Sequence, residues 1–125
     1  MVRTLLLLAV GTLVGCSPSE PAVADPGVCW RVRDGGREVL DRVANLETCA
    51  QRLEAVRMMD GGAVEGAFEG RLIFVTEAAL TQARSQQATR YPVFEPAERA
   101  QVQAAIQALL DREAGRRSAG RTPPP

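Results

Sequence analysis

Three cysteines, at positions 16, 29 and 49, are the most reactive side chains in a 125-residue chain that contains no histidine. All fifteen basic residues are arginine, so lysine is missing as well. Those two absences exclude His-based triads, His metal ligands, Schiff-base lysines and the lysine of a phosphate-binding loop. Cys29 and Cys49 stand twenty residues apart, which is neither a redox CxxC nor a zinc-ligand spacing. Thr81, Ser85 and Thr89 carry hydroxyls but have no base to activate them. Glu47 and Glu54 fall on roughly one side of a helix, with Glu38 and Asp41 ahead of it. Acid–base work by such a pair would require a cleft and shifted pKa values, and solvated helix carboxylates are the commoner case. Asp34 is a single acid in its loop, too few for calcium. The expectation is a non-catalytic protein with no cofactor and no metal, an enzyme using carboxylates alone ranking last.

The N-terminus carries an address. Met1-Val2-Arg3-Thr4 is followed by an uncharged ten-residue run, Leu5 to Val14, and then Gly15-Cys16. This is the layout of a secretory signal peptide, and it is shorter than the roughly 17–25 residues of a membrane span. Leu13-Val14-Gly15-Cys16 resembles the lipobox of bacterial lipoproteins, with all four motif positions fitting. The resemblance implies cleavage between Gly15 and Cys16, a diacylglycerol on the Cys16 thiol, and a fatty acyl group such as palmitate on the new amino terminus. Two or three acyl chains hold a protein at a membrane where one would exchange, because each buried methylene contributes about 0.8 kcal/mol. Ser17 is not the Asp that marks inner-membrane retention. The implied location is therefore the periplasmic leaflet of the outer membrane, with the periplasmic face of the inner membrane, or the free periplasm, as alternatives.

Charge adds nothing to that anchor. The formal net charge is zero, and removing residues 1–15 takes away only Arg3, leaving fourteen arginines against fifteen acids. Neither a nucleic-acid footprint nor a polybasic lipid-binding patch is present. With Cys16 assigned to lipid, Cys29 and Cys49 remain as an even pair in an oxidising compartment. A bridge between them closes a loop of about twenty residues and contributes roughly 3 kcal/mol.

Four segments follow from composition: a cleaved signal at 1–15, a lipidated Cys and Pro-rich tether at 16–27, a domain at 28–115, and a disordered tail at 116–125. The tether, with prolines at 18, 21 and 26, reaches roughly 30 Å at about 3.1 Å per residue. The 88-residue domain reads as α+β. Val28, Trp30 and Val32 alternate as the inward face of a strand, which leaves Cys29 on the arginine face and argues mildly against the bridge. Asp34-Gly35-Gly36 turns the chain into a second strand over Glu38 to Val43. Asn45 caps a helix from Leu46 whose apolar face is Leu46, Cys49, Ala50, Leu53 and Val56, and Asp60-Gly61-Gly62 ends it. Ala63 to Phe68 and Arg71 to Val75 are strands joined by Glu69-Gly70. Thr76 is expected to cap a short helix from Glu77 to about Ser85. Pro92 and Pro96 keep Tyr91 to Glu95 extended, and Pro96 opens a final helix ending near Glu113, with Gly115 beyond it. The sum is a small disulfide-stapled sheet of three or four strands with two or three helices, the C-terminal one long.

The same region, in Asn45-Leu46-Glu47-Thr48-Cys49-Ala50, Leu53-Glu54 and Gly66-Ala67-Phe68-Glu69-Gly70 followed by Leu72 to Val75, is similar to short uncharacterised envelope lipoproteins. That resemblance implies no activity and transfers no functional residue. Candidate contact residues are Tyr91 and Phe94, between prolines, and Gly66 and Gly70, which with Phe74 would line a ligand groove in a carrier. Val102, Ile106, Leu109 and Leu110 form a stripe of about two heptads, read as core against the sheet or as a short seam to a partner. The expected role is binding another envelope component, with small-ligand carriage as the alternative.

Overall fold

Two hairpins with the same turn chemistry start the sheet. In a computed structural model that describes residues 25–120, Val28–Arg33 (β1) turns through Asp34 and Gly35 into Gly36–Arg42 (β2). Val64–Phe68 (β3) turns through Glu69 and Gly70 into Arg71–Val75 (β4). Both loop residues have positive φ in each case, 35° and 77° in the first and 45° and 80° in the second. That left-handed pair matches the twist of the flanking strands, and Gly supplies its second position without steric cost. Gly15, Cys16, the whole expected signal and most of the tether lie outside the described residues, as do residues 121–125.

Leu46–Asp60 (α1) carries the chain from β2 to β3, as the capping residues require. Asn45 accepts a 2.8 Å bond from the Thr48 amide, and Gly61 closes the other end at φ 80°. A third hairpin adds Leu80–Ala83 (β5), and Tyr91–Pro92 (β6) completes a six-stranded antiparallel sheet in the order β2-β1-β3-β4-β5-β6. The fold is α+β, with more strands than expected. The difference lies at Thr76: its hydroxyl accepts from the Ala79 amide at 3.0 Å, and its own amide donates to the Ala79 carbonyl at 2.8 Å. The threonine caps a hairpin loop, not a helix. β5 then pairs with β4 and satisfies an edge of the apolar strand Leu72 to Val75 that a helix would have left bare.

The inward face of β1 is the reverse of the expected one. Cys29, not Trp30, lies under α1, and it is bonded to Cys49 with 5.3 Å between their Cα atoms. Arg31 reaches across the same face to Asp60 at the end of α1, at 2.8 Å. The pairing of β1 with β2 shifts between Cys29 and Trp30, where Cys29 faces Asp41 but Trp30 faces Val39. This bulge leaves Leu40 and Asp41 both toward α1, where Leu40 packs on the core and Asp41 meets Arg52. The helix-side core comprises Cys49, Ala50, Leu53 and Val56 over Cys29, Val64, Phe68, Ile73, Val75 and Leu80. Trp30 instead joins a second cluster on the opposite face, with Ala67, Leu72, Phe74 and Ala83, partly roofed by Ala88.

The last element, Pro96–Ala119 (α2), has Pro at its start as read from the sequence but does not stop near Glu113. It runs through Gly115, so residues 116–119 of the expected tail are helical. Of its 24 residues only Ile106 is buried, and from Asp111 onward every described residue is exposed.

Candidate functional site

Where α2 crosses α1 the contact is polar at one end and apolar at the other. Glu54 occupies the polar end, fully buried on the inner side of α1. Arg57, one turn along, donates from Nε to its Oε2 at 2.8 Å. From α2, Arg99 donates to Glu54 Oε1 through Nη2 at 3.1 Å and Nε at 3.3 Å, and the Gln103 amide donates to the same oxygen at 2.7 Å. Arg99 also donates to the carbonyl of Glu77 at 3.3 Å and to that of Thr76. One guanidinium therefore ties α2 to α1 and to the β4–β5 loop. Burial alone would raise the Glu54 pKa. The hydrogen bonds from Arg57 and Gln103, with the charges of Arg99 and Arg57, outweigh it and hold the carboxyl below its ordinary range. With both oxygens engaged by donors from two helices and no exposed surface, this carboxylate acts as a clamp between α1 and α2. Glu47 is exposed one helix turn or more away, so the two carboxylates do not converge.

The apolar end is an open groove of about 440 Å³ between the helices. Ala55 supplies one wall from α1, and Val102, Ala105, Ile106, Leu109 and Leu110 supply the other. Gln51, Arg52, Glu98 and Gln101 form its rim. Leu109 is 53% exposed and Met59, at the end of α1, 60%. Ala55 and Ala105, small residues on the two helices, leave the groove open, and the apolar stripe of α2 is only partly consumed by packing. Ile106 turns in and Leu109 stays out.

The contact residues expected from sequence are not brought together. Tyr91 is 60% exposed on the edge strand β6, whereas Phe94 is 7% exposed in the helix-side core. The extended stretch expected over Tyr91 to Glu95 ends at Pro92, and the chain bends at 93–94 to turn Phe94 into the core, so the flanking prolines do not make a shared aromatic surface. Gly66 lies beneath α1, where an added Cβ would sit 2.6 Å from the Trp30 carbonyl oxygen and closer still to a Leu53 methyl. Gly70 is in the exposed β3–β4 turn, and Phe74 faces the opposite side of the sheet, beneath the Arg90 guanidinium. The glycine-lined ligand groove is thus filled by Leu53, and its three expected residues share no cavity. In the sequence Glu54 reads as a solvated helix carboxylate beside Glu47, whereas the structure buries it completely; Arg99 and Ala105 are not marked by sequence. A charged residue inside the apolar face Ala50, Leu53, Val56, with Arg three positions later, is the available sign that Glu54 is buried.

Among the described residues no helix is long and apolar enough to cross a membrane, and no group of three or more His, Cys, Asp and Glu side chains is placed to hold a metal. The chain matches no protein-family model, no curated protein and no solved structure.

Proposed function

We propose that this chain is a lipid-anchored, periplasm-facing envelope protein that acts by contact with another envelope protein and not by catalysis. The lipobox-like Leu13-Val14-Gly15-Cys16 supports the anchor, and the outer membrane is the expected location by Ser17. The observation that carries the contact role is the α1–α2 groove with Leu109 half out of it. A 24-residue helix that buries only Ile106 leaves Leu109 and part of its apolar stripe without a partner among the described residues. Its apolar stripe is matched to the ridge of another helix, the helix-in-groove mode of recognition.

Two experiments test the two halves. Metabolic labelling with a fatty-acid probe is expected to mark the wild-type chain and to fail on Cys16→Ala; equal labelling of both refutes the anchor. A photo-cross-linking residue at position 109 is expected to give a higher-mass adduct in whole cells, while the same residue at the exposed Gln87 gives none. Absence of an adduct at 109 refutes the groove as a contact surface.

A further inference from the structure

We infer that the occupant of the groove is the α2 helix of a second copy, packed antiparallel about a two-fold axis at the level of Gln107; this rests on the contact reading above. Glu98, Val102, Ala105, Leu109, Arg112 and Arg116 follow alternating spacings of four and three, which places them in one line along the helix. The first four of them line the groove. The last two continue the line into the exposed end of α2.

A two-fold axis at residue 107 pairs each member of this line with another member of it. Ala105 faces Leu109 of the second copy, Val102 faces Arg112, and Glu98 faces Arg116. Each pair is complementary. The small Ala105 leaves the space that Leu109 needs, and the arginine stem can lie along Val102 with its head in water. Glu98 and Arg116 have opposite charges, and Glu98 has no ion pair among the described residues. The partner of Arg116 is Glu113 of its own helix at 3.4 Å, an exposed pair that exchanges readily. A parallel arrangement would set Glu98 against Glu98 and Arg116 against Arg116, so charge selects the antiparallel one. Such an interface is self-complementary, as a closed two-fold requires. A foreign helix would have to present the same order of cation, apolar residue and anion that this chain already carries.

The test is the association state of the full chain in detergent, by sedimentation equilibrium. The wild type is expected to dimerise, and Leu109→Glu to be monomeric with unchanged helical content, since that side chain is already half in solvent. Glu98→Arg and Arg116→Glu are each expected to raise the dimer Kd about tenfold, two ion pairs being reversed per dimer. The double swap E98R/R116E is expected to return it to within about threefold. A wild-type chain that stays monomeric, a Leu109→Glu dimer of unchanged Kd, or a double swap as weak as the singles overturns the inference. If the chain is monomeric yet position 109 still cross-links to another envelope protein, the inference fails and the contact reading stands. If neither occurs, both fail.

Discussion

Arg99 Nη2 lies 3.1 Å from Glu54 Oε1, joining two helices whose contact residues are 45 positions apart. Both side chains are withdrawn from water, Glu54 wholly and Arg99 to 11% exposure. Removing one member leaves its partners charged and poorly solvated, which is the costly way to break such a site. Glu54→Gln is expected to destabilise the domain by about 3 kcal/mol, measured by urea unfolding. Arg99→Ala should cost somewhat less, because Arg57 and Gln103 still satisfy the carboxylate, and it should loosen α2 while α1 stays docked. Hydrogen exchange that slackens equally in both helices would refute that division.

The same carboxylate sets an acid limit on stability. Its folded pKa is held below the unfolded value, so the unfolded chain takes up the proton first as pH falls. The stabilisation is complete above the unfolded pKa, about 4.3 for a free Glu, and is lost as pH drops through the lower folded value. The wild type should therefore lose stability from about pH 5 downward more steeply than Glu54→Gln. Parallel pH profiles for the two proteins would show that Glu54 is not the group responsible.

Cys29 and Cys49 are both fully buried, and their bridge ties the first strand to the first helix. Replacing both by Ser should lower stability by roughly 3 kcal/mol through the entropy of the opened chain, with further loss from hydroxyls placed in an apolar core. Alkylation in denaturant without reduction should leave both residues unmodified in the wild type, and modification of either would refute the bridge.

How much of this was legible depends on how local the cause is. The caps of α1, both two-residue hairpins and Pro96 at the head of α2 are set by neighbours within a few residues, and they occur where those residues put them. The face of β1 is decided by a distant event. Strict alternation separates Val28, Trp30 and Val32 from Cys29, Arg31 and Arg33 but does not say which side of the sheet the helix covers, and α1 settles that by bringing Cys49 over Cys29. β5 likewise exists because β4 needs a partner, so Thr76 closes a hairpin with hydrogen bonds that could equally have started a helix. The groove was half visible: Val102, Ile106, Leu109 and Leu110 announce a stripe, but which of them is covered depends on how α2 docks on α1, where Arg99 meets Glu54, and there Ile106 is buried and Leu109 is not.

Gly66 marks a close approach. A methyl group there would meet the Trp30 carbonyl at 2.6 Å as well as Leu53. Gly66→Ala should destabilise by about 1–3 kcal/mol, the usual cost of overpacking. In a Leu53→Ala background, itself destabilised by the lost core side chain, Gly66→Ala should still cost part of that, since the β1 carbonyl is fixed by the sheet. No added cost in that background would place the whole conflict at Leu53.

Gly115 offers the converse case. It sits inside α2 with nothing within 4 Å of the Cβ it lacks, and its φ is not in the left-handed region. Glycine after an apolar stripe predicts a helix end, yet the helix passes through it to Ala119. Gly in an exposed helix interior costs up to about 1 kcal/mol relative to Ala, so Gly115→Ala should favour the helical form of the last turns. Because residues 111–119 are all exposed, this gain is local. Amide exchange near residues 112–119 should slow severalfold while the urea midpoint of the domain barely moves. Gly115→Pro should do the opposite, breaking the helix ahead of it and leaving Arg116 and Arg117 outside helical structure. A shift of the global midpoint by either substitution would mean that the end of α2 packs on the body, and its independence would be refuted.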